Sequence, residues 1–291
     1  MLSAAVNSHS GQLESYGGGE NKGKFNGIKL SFEDYPNICS LIRDRDFDCF
    51  FNLANYGVNG YDKGDYKIQL INTQIACDLI NVAKILGCKR YVFIGSVDEF
   101  EVCDFPDNIY KKPTHSRIYG IAKYTAEIMG KVLAQNNLIE YVTAILPLTY
   151  GEGNSTNILP NVLIKAAIEK KEIKLIEGNN LYDMIYVLEA VEGIIAVANY
   201  GKNMESYYVG HEKLLSFRNI VENINNILGG EAILVFGEYN DQGCIVDYNN
   251  INLKKLKNQT GYSCSIPLDK SIINTYNWIK NKYYPNILKN I

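Results

Sequence analysis

Three short apolar runs, "FDCFFNLA" (47–54), "RYVFIGS" (90–96) and "EYVTAIL" (140–146), alternate with longer segments of helical periodicity. An unbroken apolar run of this length is the pattern of a strand buried on both faces. Between the first two, residues 67–86 place Ile68, Ile71, Ile75, Leu79 and Leu86 on one side of a helix that Gly87 closes. A second helix is predicted from about 118 to 135, before the third run. Strands alternating with helices need crossover connections, so the fold class is α/β, a doubly wound parallel sheet with helices on both faces. Such sheets bind ligands at the carboxyl ends of their strands. That edge collects Asn55 after the first run, Ser96 at the end of the second, and Pro147 to Gly151 after the third. Tyr119, at the start of the next helix, falls there too.

Tyr119 precedes Lys123 by four residues, which puts both on one helix face. Spacing alone leaves open whether this is a proton-handling pair. In a chain with 22 tyrosines roughly two such matches arise by chance, and a second exists, Tyr276–Lys280. The sheet edge separates them: Tyr276 lies in a C-terminal helix with Ile272, Ile273 and Trp278 and reads as packing.

Composition excludes several classes. A net charge of −3 and a pI near 5.7 offer nucleic acid no positive field. The pairs Lys111–Lys112 and Lys254–Lys255 are too short to form a patch. Seven scattered cysteines (Cys39, Cys49, Cys77, Cys88, Cys103, Cys244 and Cys264) contain no Cys-x-x-Cys, and several sit in apolar runs. They are expected to be reduced core packing in a cytoplasmic protein. His9, His115 and His211 are far apart and unaccompanied in sequence, so no metal site is expected. No run of about 20 apolar residues suggests a membrane span, and the N-terminus lacks a signal-peptide pattern.

Residues 7–26 are polar, glycine-rich and aperiodic, as a loop is. "GIKLSF" (27–32) reads as a strand, and "DYPNICSLIRDR" as a helix opened by Asp34. Beyond residue 151 a helix and strand are expected in "ILPNVLIKAAIEKKEIKLI", then a strand and helix in "YDMIYVLEAVEGIIAVANYG". "ESYYVG" reads as a strand, and Ser216 caps "FRNIVENINNIL". The expected division is a nucleotide-binding unit over 1–150 and a smaller α+β substrate unit over 151–291, with about 181–210 returning to the main sheet.

Taken in order, these segments resemble the extended short-chain dehydrogenase/reductase superfamily, in its branch acting on nucleotide-linked sugars. "FDCFFNLANYGV" is similar to the family segment after its fourth strand, with Asn52 at the usual histidine. "NTQIACDLINVAKILGCKRYVFIGS" resembles the next helix and strand, and "YGIAKYTAEIM" the active-site helix. "LPLTYGEG" resembles the turn after the sixth strand, and "YDMIYVLEAVEGI" the Arg-Asp-x-Ile-x-Val-x-Asp segment. The resemblance implies a Rossmann-like fold and NAD or NADP as cofactor. It implies Ser96, Tyr119 and Lys123 as the catalytic group, and Leu53, Ala54, Asn55, Asn72 and Pro147, with Tyr119 and Lys123, around the dinucleotide. Ser96, Asp98 and Tyr182 would face a nucleotide-sugar. A homodimer through the two long helices and a place in polysaccharide synthesis are also implied. A neighbouring ammonium is expected to draw the Tyr119 phenol, normally near pKa ~10, down by roughly 1–3 units.

The pattern breaks in several places. The glycine-rich turn that follows the first strand and cradles a pyrophosphate is missing; "YGGGENKGK" has no strand before it and no helical pattern after it. "MLSAAVNS" reads as the tail of the family's second strand, which makes the sheet N-terminally incomplete and exposes an edge of "FDCFFNLA" unless another segment fills the gap. Dinucleotide binding is therefore expected to be weak or absent. Tyr182 replaces a phosphate-binding arginine, and Ile145 stands where relatives often carry another. In "GSVDEFEV" the acids sit one place late for the Thr-Asp-Glu run of 4,6-dehydratases, with Val97 at the first acid. This favours keto reduction or epimerisation over dehydration. A non-catalytic relative with a binding role is the rival reading.

Overall fold

The computed structural model describes residues 2–4, 37–58, 60–103, 117–239 and 246–285. In chain order the elements begin with β1 (Leu2–Ala4), α1 (Ile38–Leu41), β2 (Cys49–Asn52), α2 (Tyr66–Ile85) and β3 (Arg90–Ser96). There follow α3 (Asp98–Cys103), α4 (Arg117–Asn137), β4 (Glu140–Leu146), β5 (Leu148–Tyr150), α5 (Leu159–Glu169) and β6 (Glu172–Leu175). Then come β7 (Leu181–Tyr182), β8 (Met184–Tyr186), α6 (Val187–Tyr200), β9 (Ser206–Tyr208), β10 (Leu215–Ser216) and α7 (Phe217–Ile227). The last are β11 (Ile233–Phe236), α8 (Lys255–Thr260) and α9 (Leu268–Tyr283).

Five parallel strands form the main sheet in the order β1-β2-β3-β4-β9. Alternation along each strand sends side chains to opposite faces. Phe50, Tyr91, Phe93 and Tyr141 enter a core under α2 and α4 with Leu79, Ile80 and Ala134. Phe51, Val92, Val142 and Ala144 enter a second core under α6 with Ile194 and Val197. On the first face the rings form a ladder: Phe50 stacks on Tyr91 at 5.4 Å and Tyr91 on Tyr141 at 5.5 Å between centroids. The Tyr91 hydroxyl, sealed in this core, donates to the Ala76 carbonyl at 3.0 Å and accepts from Asn52 Nδ2 at 2.8 Å. Asn52 thus adds a second partner to a phenol that already donates to the backbone.

The gap expected beside "FDCFFNLA" is partly filled. Leu2, Ser3 and Ala4 pair in parallel with Phe50, Phe51 and Asn52. This corrects the placement of "MLSAAVNS": its strand takes the position next to β2, which the resemblance assigns to the family's first strand. The first buried strand is also shorter than its apolar run, so Leu53, Ala54 and Asn55 lie beyond its end. Asp34, "GIKLSF" and "YGGGENKGK" lie outside the described residues; of the expected early helix the single turn α1 is described.

A third core joins α5, α7 and α9 through Leu163, Val221, Ile224 and Ile272, with Tyr150 and Tyr186 from the parallel pair β5–β8. Ser216 caps α7 by accepting the Asn219 N–H at 3.2 Å. Tyr276 sits half-buried in α9, which packs against α5 and α7. Among the described residues no helix is long and apolar enough to cross a membrane.

Helix α4 rests on the sheet through Gly130. A β-carbon there would lie 2.7 Å from the Tyr141 hydroxyl and 2.9 Å from its ring. Tyr141 is fully buried and stacked, so it has nowhere to go. Gly130→Ala is expected to cost about 1–3 kcal/mol by overpacking, despite alanine's better helix propensity. Urea unfolding of the two proteins measures this.

Candidate active site

β3 delivers Ser96 to the carboxyl edge of the sheet, and α3 begins two residues later. α4 passes close to that turn because Gly120 has no side chain: a β-carbon would stand 2.5 Å from the Asp98 carbonyl oxygen. This approach brings Tyr119 beside Ser96, close enough for the hydroxyl to act on the phenol. Ser96 Oγ also accepts the Asp98 N–H at 3.3 Å. One turn along α4, Lys123 is buried, donates to the Ile94 carbonyl at 2.9 Å, and holds its ammonium 4.9 Å from the Phe93 ring centre and 6.0 Å from that of Tyr119.

The charges around this trio differ from expectation. Burial raises the Tyr119 phenol well above its usual range, and the Asp98 and Glu99 carboxyls raise it further, while Ser96 pulls the other way. The expected depression by Lys123 is overruled, because desolvation of the phenolate outweighs an ammonium engaged elsewhere. Burial also lowers Lys123, to about 8, with Glu99 opposing. Glu99 accepts the Ser96 N–H at 2.7 Å. Its carboxyl is pushed well up by burial, then by the charge of Glu127 and a hydrogen bond with it. Burial opposes ionisation of Glu127 too, yet that hydrogen bond and Lys131, 2.5 Å away, hold it below the carboxylate range. The two carboxyls act on one another through that contact, Glu99 shifted toward its neutral form and Glu127 toward its anion. On the other side Lys63 pairs with Asp98, its ammonium 5.0 Å from the Tyr119 ring centre.

Residues 5–210 match the profile described as the NAD dependent epimerase/dehydratase family. The chain belongs to this family. None of the curated proteins matches it in sequence. Among solved structures it is similar to a UDP-glucuronic acid 4-epimerase from Bacillus cereus in complex with NAD. The TM-score is 0.69 at 20% identity, over 88% of this chain and 79% of that one. A dTDP-glucose 4,6-dehydratase from Bacillus anthracis, also with NAD, superimposes with a TM-score of 0.66 at 18% identity over 89% and 82% of the two chains. RMD from Pseudomonas aeruginosa, complexed with NADPH, gives 0.66 at 15% identity over 84% and 86%. At these identities the likeness establishes the fold, and the family itself is NAD-dependent.

Set against the family pattern, the sequence-derived residues divide. Ser96, Tyr119 and Lys123 converge. Ala54, Asn55, Asn72, Phe93 and Lys123 line one small cleft between the end of β2, α2 and α4. Leu53 is exposed. Asn72 clasps the loop after β2, accepting the Tyr56 N–H at 2.9 Å and donating to the Tyr56 carbonyl at 2.8 Å and to Gln69 at 2.9 Å. Pro147 links β4 to β5 at the carboxyl edge. Tyr182 lies on the separate antiparallel pair β7–β10, its ring edge-on to Phe217 at 5.3 Å, in the third core. Asp98 is tied to Lys63 instead of standing open toward a sugar.

Lys63, Glu99 and Glu127 were missed as members of the site. Glu127 follows Lys123 by four residues, so helical spacing already puts the two on one face. Lys63 gives no such signal, because its loop returns to Tyr119 only through the fold.

The lysine's burial makes a stability prediction. Below pH ~8 Lys123 is charged in both folded and unfolded chains, and the desolvation cost is fully present; as pH rises from about 8 toward 10.5 the folded chain loses the proton and the cost fades. Lys123→Met is thus expected to raise stability at pH 7 by about 1–3 kcal/mol, with the advantage shrinking above pH ~8. Denaturation curves across that pH range check both sign and trend.

Proposed function

We propose that the chain is a cytoplasmic NAD(P)-dependent epimerase or reductase of a nucleotide-linked sugar, with Tyr119 as the group that moves the proton. The observation that carries the reading is the meeting of Ser96, Tyr119 and Lys123 at the carboxyl end of β3 in a member of this family. Burial keeps the Tyr119 phenol protonated, so it enters the reaction as an acid, donating to a sugar carbonyl oxygen as that oxygen gains negative charge. Ser96 holds the same oxygen by a hydrogen bond and fixes its distance from the phenol. In the reverse direction the phenolate must form, and Lys123 and Lys63 are the nearby cations that would stabilise it.

The residues present fit the nicotinamide–ribose end of a dinucleotide. Lys123 uses one of its three N–H donors on Ile94, and it lines the cleft with Ala54 and Asn55. Ala54, Asn55, Tyr119 and Lys123 would hold that end, Lys123 toward the ribose. When bound, the nicotinamide supplies the carbon that takes and returns hydride. The turn after β1, where this fold places a pyrophosphate, lies outside the described residues.

The fate of the two acids supports epimerisation or reduction over dehydration. Asp98 is neutralised by Lys63, and Glu99 points inward to Glu127, so they do not act as an exposed pair. Tyr119→Phe is expected to lower turnover by roughly 10²–10⁴-fold with an unchanged circular dichroism spectrum. The assay offers UDP- and dTDP-sugars with NAD(H) or NADP(H). Dinucleotide titration by calorimetry accompanies it. Failure of the parent protein to bind any dinucleotide, with no turnover, would favour the non-catalytic reading.

The assembly we propose is a homodimer through α2 and α4, in support of the same reading. These helices pack together and expose Leu70, Ile71, Ile121, Ile128, Met129 and Val132, many large apolar side chains for two helices left in water. Leu70→Glu with Val132→Glu is expected to convert a dimer into a monomer in sedimentation velocity; a parent protein already monomeric at micromolar concentration would refute the assembly.

A further inference from the structure

Beyond Tyr208, at the end of β9, the chain passes through Val209 and Gly210 to His211, where groups distant in sequence gather. His211 Nδ1 lies 2.8 Å from Asp183 Oδ1, and its backbone N–H donates to Asp183 Oδ2 at 2.9 Å. One ring nitrogen of His211, the sulfur of Cys264 and a carboxylate oxygen of Glu189 all lie within 4.8 Å of one another. This corrects the expectation that His211 stands unaccompanied. Asp183 and Glu189 are 4% and 2% exposed, so two carboxylates are withdrawn from water beside a thiol. Among the four groups the sole positive charge available is that of His211 itself. Glu189 Oε1 accepts the N–H groups of Ser265 at 2.6 Å and Ile266 at 2.7 Å, which orients the carboxylate and leaves its second oxygen.

We propose that Glu189, His211 and Cys264 form a site for a divalent transition metal of the zinc type, with Asp183 orienting the imidazole. A thiolate, an imidazole and a carboxylate are the ligand types zinc takes, and three protein ligands leave a fourth position for water. A carboxylate on one imidazole nitrogen fixes the tautomer and aims the other nitrogen at the metal. Asp183 occupies Nδ1, so Nε2 is the ligand. In a tetrahedral site with bonds of roughly 2.0–2.3 Å the ligand atoms stand about 3.3–3.8 Å apart, so the observed spread closes by about an ångström on binding. Burial, then the charges of Glu189 and Asp183, push the Cys264 thiol up to about 12. Those same charges attract a cation; as the sulfur–metal bond forms, the thiol proton leaves to solvent. The His211 side chain is 39% exposed and gives the ion its entry. The ligands come from the first turn of α6, the chain after β9 and the segment between α8 and α9, so the metal would tie the main sheet to the C-terminal helices. Its expected effect is on stability, independent of the catalytic reading above.

Titration of the metal-free full chain with Co²⁺ tests the site. The expected result is a near-ultraviolet thiolate-to-cobalt band with visible bands of a tetrahedral ion, at one ion per chain. Zn²⁺ should displace it and raise the melting temperature. Cys264→Ser should abolish the thiolate band, and His211→Gln should weaken binding tenfold or more, both with unchanged circular dichroism. Absence of a thiolate band in the parent protein at saturating Co²⁺ would overturn the proposal whatever the variants do. So would a band that survives Cys264→Ser, since it would then belong to another cysteine.

Discussion

The α-carbon of Gly120 faces the Asp98 carbonyl so closely that a methyl group would stand 2.5 Å from the oxygen. That approach fixes how near α4 can come to the end of β3. Tyr119 and Lys123 sit on α4, while Ser96 sits on β3, so the distance between the two elements sets the distance between these three side chains. The aromatic ladder of Phe50, Tyr91 and Tyr141 supports the helix from below, and Gly130 lets it settle on the last ring. Close packing of this kind transmits position with little slack. The site is a product of the core beneath it.

Within that frame the charges balance through burial as much as through pairing. Lys123, Glu99 and Glu127 follow one another into the interior, with Lys131 and Ser206 at the far end. Moving both carboxyls into the interior as anions would be costly, and burial with the neighbouring carboxyl shifts Glu99 toward its neutral form. The phenol and the lysine are therefore both shifted toward their uncharged forms, Tyr119 upward and Lys123 downward. A positively charged ring entering the cleft would change this balance, favouring the phenolate.

The sheet was legible because its strands are continuous apolar runs and its helices keep a strict period. "RYVFIGS" and "EYVTAIL" become β3 and β4 over the same residues, and both long helices fall within two residues of their expected ends. Ser96, Tyr119 and Lys123 were found because order along the chain, taken with the rule for the sheet edge, puts them together. Lys63 was invisible, since its loop has no periodicity to say which way it folds. What Asn72 binds was not legible, because a sequence gives the residue but not its partner, and the partner is a backbone amide sixteen residues earlier. The edge-on contact of Tyr182 with Phe217 was likewise not legible, since the two lie far apart along the chain.

The same limit explains His211. Separation along the chain made it look solitary, yet the parallel sheet returns β9 to a place beside β4, and α6 then lies across that face. The crossover brings Asp183 and Glu189, which flank the start of α6, up against the residue leaving β9; the segment after α8 closes over them with Cys264. Each of the four is ordinary in its own stretch of sequence. Their convergence follows from topology, because a crossover connection places the beginning of one helix beside the end of the next strand. In such a fold the carboxyl edge of the sheet collects polar groups from distant segments at more than one point, and Ser96 and His211 mark two of them.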